Sequence, residues 1–145
     1  MYGPVSRGLG DITAEQAAVV FREHRAACVR LRDMLAEECT WGRVRRERWA
    51  NVPSPSLQDP AARFAEYERL RAEIGAYDIV RPFMGLCSCE IHLASYGPLF
   101  HAAYVAFVFA PDGAVPPDRP PVGDDPRWTR YTPLGDGWFL LHGQT

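Results

Sequence analysis

The sequence predicts an α+β domain in which two long helices, at about 14–39 and 60–75, pack on one face of a four-stranded antiparallel sheet. Three observations carry this. Apolar residues recur at helical spacing through the first part of the chain. After Gly75 the pattern changes to alternation and short apolar runs, as in strands. Between the two helical stretches lies Asn51-Val52-Pro53-Ser54-Pro55-Ser56, which has turn and polyproline chemistry.

The first helix opens at Thr13, with Gln16 three residues later as a capping box. Ala17, Val20, Phe21, His24, Ala27, Cys28, Leu31, Met34 and Leu35 then follow at spacings of three and four. Asp59 reads as the N-cap of the second helix, with Pro60 at its first position. Phe64, Tyr67, Leu70 and Ile74 form its buried stripe, and Gly75 ends it. Leu86 to Ala94 alternates, with Cys87, Cys89, Ile91 and Leu93 on one side and Ser88, Glu90 and His92 on the other. Ala102 to Ala110 is apolar on both faces, as in a central strand. Trp128 to Thr132 and Trp138 to His142 are short strands joined by the hairpin signal Pro133-Leu134-Gly135-Asp136-Gly137. Residues 111–127 hold six Pro, four Asp and two Gly, and read as a surface loop or as a lid over the sheet.

A chain of 145 residues fits one domain, 1–145, with residues 1–12 as a flexible N-terminus. Its composition, 47% hydrophobic and 23% charged, is that of a globular chain able to build its own core. The longest apolar run has nine residues, Ala102 to Ala110, too few to span a membrane. All sixteen basic residues are Arg, which fits codon usage in a GC-rich bacterial genome and removes Schiff-base and P-loop lysine chemistry. A net charge of −2 and the lack of any nucleic-acid motif argue against a nucleic-acid partner. Met1 to Gly10 has no apolar signal core, so the four Cys read as reduced thiols of a soluble, cytoplasmic protein.

Ala103 to Gly113 and Arg130 to His142, with its Asp136-Gly137-Trp138 turn, resemble the closing strands of NTF2-like (SnoaL-type) cone domains over less than a third of the chain. That resemblance implies an enclosed apolar pocket of the kind isomerases, dehydratases and cyclases use; no residue role is carried over from it.

Four groups of residues are candidates for chemistry. Cys87-x-Cys89-x-x-His92 suggests zinc, but a regular strand puts both Cys on one face and His92 on the other, so neither a metal nor a cofactor is predicted. His24 and Cys28, one helical turn apart, could make a thiolate pair; their place on the apolar stripe favours two core residues instead. Glu90 and His92 share a strand face and suit general acid–base work, with His101 and Tyr104 on the next strand as further members. Strand neighbours two apart lie ~6.5–7 Å apart along the backbone, a spacing that predicts no direct hydrogen bond between their side chains. Finally, Trp41, Arg43, Arg45, Arg46, Arg48 and Trp49 combine Arg and aromatic side chains as protein hot spots do.

Two functions follow. The first is a small soluble interaction or accessory protein, of inhibitor or immunity type, with the Arg/Trp segment, the Pro/Asp loop and the tail Trp128 to His142 as contact surfaces. The second is a small-molecule enzyme or binder, isomerase-, dehydratase- or cyclase-like, with an apolar pocket between sheet and helices and Glu90, His92, His101 and Tyr104 as its catalytic set. The sequence leans to the first.

Overall fold

The computed structural model describes residues 12–40, 60–76, 78–80, 89–96, 103–110, 115–125 and 127–144. Among these residues three helices, α1 (Ala14–Glu23), α2 (Arg25–Thr40) and α3 (Pro60–Ile74), precede five strands, β1 (Asp78–Val80), β2 (Cys89–Tyr96), β3 (Ala103–Phe109), β4 (Trp128–Gly135) and β5 (Trp138–Gln144). The strands form one antiparallel sheet in the order β1-β2-β3-β5-β4. This is the predicted α+β class, with helices packed on an antiparallel sheet. The four predicted strands are β2 to β5, and the three-residue β1 extends the edge beside β2.

The capping box forms. Thr13 Oγ1 accepts from the Gln16 amide at 3.1 Å, and Gln16 Oε1 accepts from the Thr13 amide at 2.9 Å. The first helix departs from expectation in being two. His24 leaves helical geometry at φ −120° and ψ 24°, although its N–H still donates to Val20 O and its carbonyl accepts from Cys28 N–H. The break coincides with a change of partner: α1 lies on β3 and β5, whereas α2 packs on α3 and β2. A single straight stripe could not follow both across a twisted sheet.

The end of α3 is a Schellman motif, with Ala76 N–H donating to Arg71 O and Gly75 N–H to Ala72 O. Arg30 forks onto Glu66, at 2.7 and 3.3 Å, and ties α2 to α3. Arg63 reinforces the joint by donating to Met34 O and to Glu37. Arg25 at the start of α2 pairs with Asp136 in the β4–β5 turn.

The helix side of the sheet is the main core. Ile91, Leu93, Val105, Phe107, Trp138 and Leu140 meet Phe21, Leu31, Met34, Leu70 and Ile74 there. Phe21 meets Phe107 and Trp138 with ring centroids at 5.2 and 5.4 Å. The opposite side holds a smaller cluster of Ala106, Val108 and Leu141, with Tyr104 and Tyr131 packed against it.

Part of the Pro/Asp-rich segment lies along the outer edge of β4. Arg119 exchanges both backbone hydrogen bonds with Thr129 at 2.9 Å, and Asp118 Oδ1 accepts from the Tyr131 N–H at 2.8 Å. These bonds occupy edge groups that would otherwise be open to another strand.

Candidate functional site

The sheet face turned away from the core carries the groups with chemistry. Strand alternation places Glu90 and His92 of β2 there, opposite Val108 and Ala106 of β3. Their side chains meet, with His92 Nε2 at 3.1 Å from Glu90 Oε1 and about a quarter or less of each side chain exposed. This contact departs from the expectation that the two side chains make no direct hydrogen bond. Backbone separation set the expectation, but two long side chains leaning along the strand close the gap. A carboxylate only accepts, so the contact is a hydrogen bond when Nε2 carries the proton.

The register carries this face across four strands. His92 stands opposite Ala106, Ala106 opposite Leu141, and Leu141 opposite Tyr131. At the usual strand separation that row spans about 14–15 Å. Tyr104 lies further along β3, opposite Gly143. Only glycine fits at 143: a Cβ there would sit 2.6 Å from the Tyr104 hydroxyl oxygen and 2.8 Å from Trp128 O. Burial raises the pKa of Tyr104, and Glu90 adds to the shift. Tyr131 is raised by burial first, then by Glu90, Tyr104 and Asp118. Both phenols therefore stay protonated well above neutral pH and can donate hydrogen bonds beside a carboxylate.

Of the predicted catalytic set, Glu90, His92 and Tyr104 share this face. His101 lies outside the described residues, as do Cys87, Ser88 and the contact stretch Trp41, Arg43, Arg45, Arg46, Arg48 and Trp49. The face lies on the far side of the sheet from the helices. Between sheet and helices, Leu31, Met34, Ile91, Leu93, Val105 and Phe107 are fully buried.

Cys28 is fully buried, and burial pushes its thiol up to about 12, with Glu73 adding to the shift. It is a core thiol rather than a thiolate. His24 instead turns toward Glu73, with Nδ1 3.9 Å from Oε2. Cys89 is also buried, on the side opposite His92. Among the described residues no group of three His, Cys, Asp or Glu side chains is placed to hold a metal.

A separate cleft of about 500 Å³ lies where residues 118–121 meet the first residues of β4, with Trp128 and Arg130 among its walls. The ring of Trp128 meets His142 edge-on at 4.9 Å. Burial lowers the pKa of His142, with Arg130 acting in the same direction.

The sequence offers Arg130 and Tyr131 only as part of the tail Trp128 to His142, and Gly143 not at all. Alternation within β4 and β5 gives each residue a side, but only the pairing of β5 with both β3 and β4 brings those sides together. No family model, no curated protein and no solved structure matches this chain, so the likeness to NTF2-like domains gains no support.

Proposed function

We propose that the protein is an interaction or accessory module that binds a protein partner through the sheet face turned away from its helices. The observation that carries this is the spread of functional groups. His92, Glu90, Tyr104 and Tyr131 surround an apolar floor of Ala106, Val108 and Leu141, and the row from His92 to Tyr131 spans about 14–15 Å. A patch of that width suits a contact surface better than a compact reaction centre. Tyrosines give amphipathic contact area at low entropic cost. Glu90 and Asp118 place negative potential at Tyr131, which favours a partner presenting Arg or Lys. An inhibitor or immunity-type role would use the same face, with the Trp41–Trp49 stretch as a second contact. Cytosolic location remains part of this proposal. Among the described residues no helix is long and apolar enough to cross a membrane.

The test is native mass spectrometry of the protein purified gently from its own host. A second polypeptide is expected in the spectrum, lost in Tyr131→Ala and in Glu90→Gln while both variants stay folded. A bare chain, or a complex that survives both changes, overturns the reading.

The 3.1 Å Glu90–His92 contact supports a second reading, a small-molecule enzyme or binder with that pair as acid and base and Tyr104 as donor. It requires a small-molecule mass in the same spectrum, and loss of turnover in both Glu90→Gln and His92→Gln.

A further inference from the structure

The outer edge of the sheet carries a second arrangement, built around Trp128 and Arg130, which the face-binding reading does not use. The cleft between residues 118–121 and β4 has a volume of about 500 Å³, which is ordinary for a small-molecule site. Its charges are unequally committed. Arg119 is held by Asp125 at 3.1 Å, and Arg127 takes the same carboxylate at 2.9 Å. Asp118 accepts the Tyr131 N–H on Oδ1. The Arg130 side chain is exposed and, among the described residues, makes no ion pair or hydrogen bond. Most other arginines described are paired: Arg25, Arg30, Arg63 and Arg71 each hold a carboxylate. An uncommitted guanidinium at the wall of a cleft is a ready partner for an anion.

Trp128 stands two residues before Arg130 on the same side of β4, as strand alternation requires. His142 backs the indole edge-on. Burial and Arg130 together disfavour the charged imidazole, so His142 does not compete with Arg130 for an anion near neutral pH. Pro120 adds a stiff apolar wall with no N–H to satisfy. A flat apolar surface and a planar fork donor at one cleft select a ligand that is itself planar and negatively charged.

We propose that this cleft binds an aromatic carboxylate, with Trp128 as the stacking surface and Arg130 as the carboxylate partner. The full chain is titrated with benzoate, and with benzamide as its uncharged mate, while the Trp128 indole N–H and His142 ring signals are followed by NMR. Both signals are expected to move saturably with benzoate, at least tenfold more tightly than with benzamide. Arg130→Gln should abolish that tenfold preference without changing the thermal midpoint, because Arg130 holds nothing in the fold. Trp128→Phe identifies the indole signal, and the buried Trp138 indole should stay still. Equal affinity for the two probes overturns the proposal, as does a preference that survives Arg130→Gln or a Trp128 signal that never moves. None of these outcomes bears on the partner surface, which uses other side chains.

Discussion

On the helix side of the sheet, Ile91, Leu93, Val105 and Phe107 expose none of their surface, and Phe21 and Trp138 close over them. On the other side the sheet raises Glu90, His92, Tyr104 and Tyr131 around the buried Ala106, Val108 and Leu141, and each of the four keeps part of its surface in water. One side therefore supplies most of the stability, because apolar area removed from water is the main favourable contribution to folding. The other side is free to carry polar groups whose loss the fold can survive. The division follows from period-two alternation, which gives every strand residue to one side or the other.

The largest expected effect tests this division directly. Phe107→Ala removes a ring packed on all sides and should cost about 3–5 kcal/mol. Tyr131→Ala, partly exposed on the opposite side, should cost closer to ~1 kcal/mol. Urea unfolding of the two variants measures both. Equal losses would mean that the outer face is as structural as the core, and would take away the argument for a contact surface.

Gly143 sharpens the comparison at one residue. Its missing Cβ lets the Tyr104 ring lie across β5, and an added methyl would meet the phenol oxygen at 2.6 Å and the ring carbon beside it at 2.7 Å. Gly143→Ala should cost roughly 1–3 kcal/mol as overpacking. Tyr104→Ala in the same chain should recover part of this and not all, because Trp128 O lies 2.8 Å from the same position. A double-mutant cycle gives the coupling. A purely additive pair would show that Tyr104 does not rest on Gly143 in solution.

Much of this architecture was legible. The spacing of Ala17, Phe21, Cys28, Leu31 and Leu35 marked the buried stripe, and each of those residues is buried. Thr13 and Gln16 announced the cap that forms. Alternation from Cys89 to Leu93 separated Glu90 and His92 from the apolar side of the strand, but the expected pocket between sheet and helices put them on the wrong side of the sheet: they face away from the helices. The break at His24 was hidden because no Pro or Gly marks it and the stripe runs through unbroken. β1 is too short, at three residues, to display a period. The insertion of β5 between β3 and β4 is a long-range pairing that no local pattern encodes, and the meeting of Tyr131 with Leu141, or of Trp128 with His142, depends on it.

The smallest expected effect concerns pH and falls on β5, at His142 between β3 and β4. His142 is less basic in the fold than the free side chain, first because it is partly buried and then because Arg130 lies near. Folding therefore favours its neutral form. That contribution is complete above the unfolded value near 6.5 and is lost as pH falls through the lower folded value. Glu66, held low by Arg30, loses its contribution only in the carboxylate range below. Between about pH 7.5 and about 5 the thermal midpoint should thus fall slightly in the parent chain and less in His142→Gln, where nothing titrates at that position. Solvent screening at this half-open site keeps the difference small. Parallel curves for the two proteins would show that Arg130 and burial do not act on His142. The imidazole would then be free to compete for an anion, and the assignment of Arg130 as the carboxylate partner in the cleft would lose its electrostatic support.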